Sequence, residues 1–557
     1  MRPQLVAGCV FVMACGAPTT GIDAGVDAGP IDAGSEVDAG PDCNAGIATA
    51  HDLTFTEQGA VRGVVSSTGA RSFLGIPYAK PPLGALRWRP PERELTCWSA
   101  IRDATQWGAK CPQLPQEQGQ PFDAGAPLEG QEDCLTLNVF TPPATDGGLP
   151  VMVFIHGGGN TVGSAAETIG MTGAKLYDGS ELATRGGVLV ITLQYRLGAL
   201  GYLALTALDA ESDAGVSGNY GLMDQQLALG WVQRNAARFG GDPARVMLFG
   251  ESAGALNTCM HLGLPGSAGL FHRALIESGS CNATPITSKR SEGTRWLAGT
   301  NCSSSPDVPA CIRALTPEQV VRAFPVQVVV GARKPEVSWG PVVDGVVLPL
   351  NPLDALRTGA GNGVPLIVGH NADETNLTTP LITTEAEYRA AVTTFVGAAL
   401  TDQVVQLYPV ATYGTPRRAL VQVSTDGFFG CQARQASRAA VLGRPAVPAF
   451  RYLFSRAPVA IRGAFHGVEL PYVFQRISAL TPTPSPDDLA VEATMLGYWT
   501  RFAATGDPNG AGALTWPRVS SVEPMQRLDV TVSTQSAWRN AECDFFDAFA
   551  GVSIPAP

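Results

Sequence analysis

The chain has 557 residues, of which 45% are hydrophobic and 16% are charged, and its formal net charge is -11 at pH 7. This composition is typical of a folded protein with a large interior and excludes a disordered or fibrous chain. The negative charge argues against a nucleic-acid partner, because binding to phosphates needs a basic surface.

The N-terminal segment is predicted to be an export signal followed by a tether. A positive start and an apolar stretch over residues 1–14 precede Cys15, which resembles a bacterial lipoprotein signal with Cys15 as the lipidated residue. Cys9 is a second candidate for lipidation, and an ordinary secretory signal is the alternative. Asp-Ala-Gly triplets predict an unfolded tether over residues 15–50, because they provide little apolar surface for a core. We therefore expect an exported folded domain over residues 51–557, lipid-anchored at the cell envelope, with the outer membrane favoured, or secreted.

Apolar runs further along the chain predict the strands of one sheet, separated by helices. Continuous apolar runs are typical of strands that are buried on both faces, and apolar residues at helical spacing over residues 224–239 predict a helix that ends at Gly240. This alternation predicts an α/β fold with a large, mostly parallel central sheet and helices on both faces. The predicted strands cover residues 132–139, 151–155, 188–193, 246–249, 274–277, 366–369 and 450–454.

A run of three consecutive glycines follows the predicted strand at residues 151–155, in the sequence His-Gly-Gly-Gly at residues 156–159. Consecutive glycines leave backbone N–H groups unshielded, and acyl transfer needs such donors because its tetrahedral intermediate carries a negative charge. The pattern predicts an oxyanion hole made by the N–H groups of Gly158, Gly159 and Ala253. A plain glycine-rich turn is the alternative, and a phosphate cradle is disfavoured because no Gly-Lys-Ser/Thr sequence follows.

Residues 250–254, Gly-Glu-Ser-Ala-Gly, follow the predicted strand at residues 246–249. They match the G-x-S-x-G elbow, which turns a strand sharply into a helix and exposes its serine. The two glycines are needed because a side chain at either position would collide with the neighbouring strand or helix. The motif therefore predicts Ser252 as a nucleophile, although a surface Gly/Ser loop would give the same pattern.

A serine nucleophile needs a general base, for which imidazole is the best-tuned side chain. In α/β hydrolases the nucleophile, the acid and the histidine follow in that order along the chain. His261 and His272 follow Ser252 too closely to leave room for an acid on a later strand, so we predict structural roles for both. The chain has six histidines, at positions 51, 156, 261, 272, 370 and 466.

The remaining candidates are His370, at the end of a predicted strand, and His466, on a glycine-flanked loop after the last predicted strand. We predict His466 as the base and Glu374 as the acid that orients it. Asp373 is the alternative acid.

Together these motifs resemble the type-B carboxylesterase/lipase family, the α/β hydrolases that include the cholinesterases. The resemblance extends from about residue 52 to about residue 546. It implies one α/β-hydrolase catalytic domain over residues 51–557 that hydrolyses small-molecule carboxylic esters of short to medium chain length without a cofactor or metal. The acid of the family's Asp-Glu pair supports Glu374. The matching motifs lie at residues 75–79, 132–138, 156–159, 221–225, 239–243, 250–254, 341–345, 373–374, 466–470 and 506–509.

Two other functions stay open at this point. A lipase would act on long-chain esters beneath a lid, but the loop between Cys111 and Cys134 is rich in Gln, Pro and Gly and is barely apolar. A non-catalytic, cholinesterase-like adhesion protein would typically have lost its nucleophile, whereas this chain keeps Ser252.

Twelve cysteines in an exported chain predict disulfide bonds. The resemblance leaves Cys43, Cys97, Cys259 and Cys281 unassigned; we propose Cys43 with Cys97 as one pair, and we expect Cys259 to be a buried thiol. The resemblance implies the pairs Cys111–Cys134, Cys302–Cys311 and Cys431–Cys543.

Departures from the family pattern bear on the substrate. The loop from Cys111 to Cys134 contains Phe122 but no tryptophan, so the resemblance does not support binding of a choline group by cation–π contact. Asn160 stands where the family commonly has an aromatic residue, and residues 335–338 lack paired phenylalanines. These differences imply a roomier and more polar pocket.

Overall fold

The computed structural model describes residue 43 and residues 49–116, 123–143, 147–169, 172–331, 338–458 and 462–557. The predicted signal peptide, nearly all of the predicted tether, Phe122 and residues 335–337 lie outside the described residues, as do Cys9 and Cys15. Within these ranges, no helix is both long and apolar enough to cross a membrane.

Strands and helices alternate along the described chain. The strands are β1 Leu53–Thr56, β2 Gly59–Arg62, β3 Val64–Val65, β4 Arg71–Pro77, β5 Arg102–Asp103, β6 Thr136–Thr141, β7 Leu149–Ile155, β8 Thr168–Ile169, β9 Ala174–Lys175, β10 Leu189–Leu193, β11 Gly241–Glu251, β12 Arg273–Glu277, β13 Thr284–Pro285, β14 Val342–Val343, β15 Leu366–Asn371, β16 Ala449–Phe454, β17 Met525–Leu528 and β18 Ser533–Gln535.

The helices are α1 Ser180–Gly186, α2 Gly198–Tyr202, α3 Thr206–Asp209, α4 Tyr220–Asn235, α5 Ala253–Gly263, α6 Ile286–Ala298, α7 Val308–Arg313, α8 Pro317–Arg322, α9 Pro352–Thr358, α10 Glu385–Val396, α11 Thr401–Leu407, α12 Val410–Tyr413, α13 Pro416–Thr425, α14 Cys431–Gly443, α15 Leu470–Val473, α16 Ile477–Leu480, α17 Pro486–Thr505 and α18 Asn540–Phe549. A π-helical turn, Asp426–Gly430, joins α13 to α14.

The central sheet has eleven strands in the order β18-β17-β16-β15-β12-β11-β7-β10-β6-β4-β3. The strands from β17 to β10 pair in parallel, and antiparallel pairs occur only towards the two edges. All residues of β10, β12, β15 and β16 are buried, which explains their continuous apolar runs. One buried apolar cluster lies on each face, so the predicted mostly parallel sheet with helices on both faces is confirmed.

Parallel pairing brings the predicted functional segments to the same edge of the sheet. Strands β7 and β11 are neighbours, as are β12 with β15 and β15 with β16. Since the carboxyl ends of parallel strands meet at one edge, the glycine run, the serine elbow, the acidic loop and the histidine loop all begin there.

Two elements have boundaries in the structure that differ from the predicted ones. The strand predicted from residue 132 begins only at Thr136, because Glu132 forms a buried ion pair with Arg87 and Cys134 forms a disulfide bond. The helix predicted over residues 224–239 begins earlier, at Tyr220, and its last turn is a 3-10 helix that ends at Gly240 with a φ of 88°.

Five disulfide bonds lie within the described residues. They join Cys43–Cys97, Cys111–Cys134, Cys259–Cys281, Cys302–Cys311 and Cys431–Cys543. The expectation that Cys259 is a buried thiol is wrong, because α5 packs beside the segment that follows β12. The Cα atoms of Cys259 and Cys281 are consequently 5.3 Å apart, a separation that a disulfide spans without backbone movement.

Candidate active site

Ser252 lies at a sharp turn between β11 and α5, and its backbone has a φ of 57° and a ψ of -120°. A positive φ is strained for a residue with a side chain, and the surrounding contacts hold it in place. The Ser252 N–H donates to the carbonyl of Glu277 over 2.9 Å. A Cβ atom at Gly254 would lie 1.9 Å from the carbonyl oxygen of Ile155, and one at Gly250 would lie 2.5 Å from the Gly254 carbonyl. Both glycines are therefore required for the close approach of β7, β11 and α5.

The glycine run lies beside this elbow. A Cβ atom built on Gly157 would lie 3.1 Å from the Cβ of Ser252. Gly158 and Gly159 have φ values of 105° and 61°, which favour glycine. Across the described ranges, the N–H groups of Gly158, Gly159 and Ala253 donate to no other protein atom. Three backbone donors are therefore free next to the serine.

His466 and Glu374 form a direct contact at the same edge of the sheet. The Nδ1 atom of His466 lies 2.6 Å from Oε2 of Glu374, and the His466 N–H donates to the Glu374 carbonyl over 3.1 Å. The other carboxylate oxygen of Glu374 accepts from the N–H of Asn371 over 2.7 Å. Glu374 is fully buried, so these hydrogen bonds hold both the carboxylate and the imidazole ring in one orientation.

Asp373, the alternative acid, has a different position. Its Oδ2 atom accepts from the N–H of Ala464 over 3.0 Å, and its Oδ1 atom accepts from the Gln422 side chain over 3.3 Å. The structure therefore brings Glu374 to His466 and uses Asp373 to hold the loop that carries His466.

Two of the other histidines, His261 and His370, are buried and contact other groups. His261 contacts the hydroxyl of Ser267 at 2.8 Å and the side-chain oxygen of Gln225 at 3.2 Å. His370 packs against Trp538, and burial lowers the pKa of His370 to about 3. Among the described residues, neither ring forms a hydrogen bond with Ser252.

The Nε2 atom of His466 contacts Glu251 in this structure. Nε2 lies 3.1 Å from Oε1 of Glu251, an ion-pair distance without hydrogen-bond alignment. Within the part of the chain that the structure describes, no hydrogen bond joins His466 to Ser252. Sequence reasoning missed Glu251, although it is the only carboxylate inside the elbow motif and directly precedes the nucleophile.

Three buried carboxyl groups, those of Glu251, Glu374 and Glu469, act on the imidazole of His466. Burial lowers the pKa of His466, but the charges of Glu251 and Glu374 outweigh this effect and raise it to about 9. Burial, assisted by the charge of Glu374, raises the pKa of Glu251 to about 7. Burial also raises the pKa of Glu469 well above its ordinary range. The protonation of His466 is therefore coupled to that of its carboxyl neighbours.

Phe429 is a second contact of His466 that the sequence did not reveal. The two ring centroids are 5.1 Å apart, and Phe429 lies on the π-helical turn between α13 and α14. A π-helical turn has no recognisable sequence pattern, so only the adjacent pair Phe428-Phe429 could have drawn attention to this segment. The turn presents an apolar ring to the histidine.

Asn160, one of the residues that led us to expect a more polar pocket, contributes little exposed surface itself. The residue is only 3% exposed. Its Oδ1 atom accepts hydrogen bonds from Asn257 over 2.8 Å and from the Tyr202 hydroxyl over 3.2 Å. The polar group of Asn160 is therefore used inside the protein.

Among the described residues, no group of three or more His, Cys, Asp or Glu side chains could hold a metal ion. The site offers a serine hydroxyl, an imidazole, carboxylates and backbone N–H donors. A mostly parallel sheet with a strained serine elbow beside a glycine run defines the class of this protein as an α/β hydrolase.

The chain belongs to the carboxylesterase family, whose model matches residues 51–546. It is 35% identical over 480 residues to fumonisin B1 esterase of Sphingopyxis macrogoltabida, covering 84% of each chain. It is 34% identical over 481 residues to para-nitrobenzyl esterase of Bacillus subtilis (strain 168), covering 84% of this chain and 92% of the relative. A solved structure of PNB esterase matches with a TM-score of 0.73 at 31% identity, covering 89% of this chain and all of the other. The protein is thus a carboxylic ester hydrolase.

Proposed function

We propose that this hydrolase cleaves short to medium-chain carboxylic esters through a triad of Ser252, His466 and Glu374. The observation that carries the proposal is the 2.6 Å contact between His466 and Glu374, made at the sheet edge where the elbow presents Ser252. A buried carboxylate on Nδ1 selects the imidazole tautomer whose Nε2 atom can accept a proton.

The reaction follows from these positions. The Ser252 hydroxyl attacks the ester carbonyl while Nε2 of His466 takes its proton, and the N–H groups of Gly158, Gly159 and Ala253 stabilise the negative oxygen. His466 then donates this proton to the departing alcohol, which leaves an acyl group on Ser252. A water molecule, deprotonated by His466, attacks this acyl group and releases the carboxylic acid together with free Ser252.

For the first step, Nε2 of His466 must exchange its contact with Glu251 for one with Ser252. A neutral imidazole has less attraction for the Glu251 carboxylate than an imidazolium has, because the ionic part of the interaction disappears. The proposed reaction therefore begins from neutral His466.

Small-molecule esters are supported by the walls of the site and by the relatives. The ring of Phe429 contacts His466, and the side chain of Val328 lies 2.9 Å from where a Cβ atom of Gly159 would stand. These apolar side chains close to the reacting centre suit an acyl or alcohol group that is itself apolar. Two relatives carry the names fumonisin B1 esterase and para-nitrobenzyl esterase.

Hydrolysis of p-nitrophenyl esters of increasing acyl length by the purified protein tests this proposal, with Ser252→Ala as the control. We expect the highest kcat/KM on short to medium acyl chains and loss of at least about 1,000-fold in the Ser252→Ala variant. Equal rates for both proteins would contradict the enzymatic role of Ser252. A preference for long, emulsified esters would instead indicate a lipase.

We also propose that the protein is exported and lipid-anchored through Cys15, on the support of the signal-like sequence before this residue. Metabolic labelling with a fatty acid in a bacterial host should label the wild type but not Cys15→Ala. Labelling that persists in Cys15→Ala and disappears in Cys9→Ala would assign the anchor to Cys9.

A further inference from the structure

The backbone donors beside Ser252 come from two separate segments of the chain. Gly158 and Gly159 lie on the loop after β7, whereas Ala253 is the first residue of α5. Donors stabilise a developing oxyanion only when they converge on one point before the reaction begins. The relative position of this loop and this helix therefore matters for the proposed reaction, on which this inference rests.

Asn160, the residue directly after Gly159, joins the two segments. Its Oδ1 atom accepts a 2.8 Å hydrogen bond from Nδ2 of Asn257, which lies on α5 one turn after Ala253. Asn257 is fully buried and Asn160 is 3% exposed, so solvent does not compete for this bond. Because α5 is rigid, holding Asn257 against Asn160 also holds Ala253 relative to Gly159.

Helix α2 is a third segment that contacts Asn160. The Tyr202 hydroxyl, at the end of α2, donates to the same Oδ1 atom over 3.2 Å, and the N–H of Gly198, at the start of α2, donates to the Asn160 carbonyl over 2.7 Å. Tyr202 is 1% exposed. One residue therefore receives three hydrogen bonds from two helices.

The residue type suits the backbone as well as the contacts. Asn160 has a φ of 55°, and asparagine adopts this left-handed conformation more readily than most residues with a side chain. A phenylalanine at this position would offer no oxygen to Asn257 and Tyr202, whose buried donors would then be unpaired.

We propose that Asn160 is a positioning residue that clamps the glycine loop to α5 and α2 and so preorganises the oxyanion hole. Removing the clamp should lower kcat about 10-fold to 100-fold, which is less than the loss of a whole oxyanion donor can cause. The KM should stay within about twofold, because the clamp acts on the transition state rather than on the bound ester.

The test uses Asn160→Ala, Asn257→Ala and the double variant, with Asn160→Gly to separate the clamp from backbone strain. Asn160→Gly relieves the positive φ but still lacks the oxygen, so we expect the same loss of kcat as in Asn160→Ala. If both residues act through one bond, the double variant should lose no more than the more affected single variant. Losses that multiply in the double variant would overturn the clamp, as would recovery of wild-type kcat in Asn160→Gly.

The affinity for a trifluoromethyl ketone gives a second readout, because this inhibitor forms an oxyanion on Ser252. We expect its affinity to fall in parallel with kcat in the clamp variants. Tyr202→Phe, which keeps the ring and removes one donor, should give a smaller loss in the same direction. Unchanged inhibitor affinity in folded clamp variants would overturn the proposal.

Asn362→Ala is the matched control for general loosening of α5. Asn362 donates to the carbonyls of His261 and Leu264 near the end of the same helix, so its loss should lower stability without changing inhibitor affinity. An equal loss of affinity in Asn362→Ala would overturn the specific role of Asn160. Failure of the proposed function itself would look different, because the wild type would then hydrolyse the ester no faster than Ser252→Ala.

Discussion

Oε1 of Glu251, the residue before Ser252, lies 3.1 Å from Nε2 of His466, the nitrogen that takes the serine proton in the proposed mechanism. This contact joins the elbow to the histidine loop from within the motif that carries the nucleophile. The carboxylate of Glu251 also acts electrostatically on the imidazole of His466. Both side chains are buried, and an ion pair is screened less there than in water.

Replacing Glu251 by Gln should move the acid limb of the pH profile. Catalysis needs neutral His466, whose pKa is about 9 beside its carboxylate neighbours, so activity should rise with pH through that value. Glu251→Gln removes the largest single charge that raises the pKa of His466, so the limb should move by about one to two pH units towards lower pH. The measurement is kcat/KM for a p-nitrophenyl ester between about pH 5 and about pH 10. Glu385→Gln, at an exposed position, is the control, and an unmoved limb in Glu251→Gln would exclude this electrostatic role.

The variants Glu374→Gln and Asp373→Asn should distinguish the roles of these two acidic residues, which are adjacent in the sequence. Glu374→Gln keeps the shape of the side chain but removes the charge that stabilises the imidazolium, so kcat should fall by about 100-fold to 10,000-fold. Asp373→Asn should keep kcat within about tenfold and lower the free energy of unfolding by about 1 kcal/mol, because it weakens the anchor of the histidine loop. Steady-state kinetics and urea denaturation measure the two effects. The reverse ranking of kcat losses would assign the acid to Asp373.

Glu277→Gln should stabilise the fold at alkaline pH. Burial raises the pKa of Glu277 from its ordinary value of 4.5 to about 8. The Trp499 N–H, which donates to Oε1 over 2.9 Å, lowers the pKa but does not outweigh burial. Between these two values the unfolded chain releases a proton that the folded chain retains, so stability falls as pH rises through this window. The variant keeps an oxygen for Trp499 and carries no proton to lose, so its gain should reach on the order of 2 kcal/mol at about pH 9.

At about pH 4.5 the Glu277→Gln variant and the wild type should unfold at the same denaturant concentration, because the carboxyl group is then neutral in the folded state. Denaturant unfolding at both pH values measures the difference. A gain of equal size at both pH values would show that packing, rather than ionisation, is responsible.

Removing the bond between Cys259 and Cys281 should destabilise the protein more than removing the bond between Cys302 and Cys311. The first closes a separation of 22 residues and the second a separation of 9. Longer loops lose more chain entropy when closed. Cys259→Ala/Cys281→Ala should therefore lower the free energy of unfolding by about 3 kcal/mol, and Cys302→Ala/Cys311→Ala should lower it by somewhat less. Denaturant unfolding under non-reducing conditions measures both. A Cys259→Ala/Cys281→Ala variant as stable as the wild type would show that this bond is not present in solution.

Sequence reasoning worked best where one local pattern carries the information. The glycine spacing around Ser252 reflects contacts with Ile155 that any side chain would violate, and such steric demands are visible in a motif. The boundary of β6 was less predictable, since Glu132 alternates like a strand residue but pairs with Arg87, which is distant in sequence.

The sequence by itself determined the alternation of strands and helices, the elbow at Ser252 and the glycine run, because these depend on local sterics and apolar periodicity. It also predicted Glu374 as the acid and His466 as the base, in part through their order along the chain after Ser252. Only the tertiary structure decided what surrounds the imidazole of His466, because Glu251 and Phe429 reach it from separate elements whose distances no local pattern encodes. The same holds for Asn160, since its partners on α5 and α2 become neighbours only when the sheet has brought these segments together.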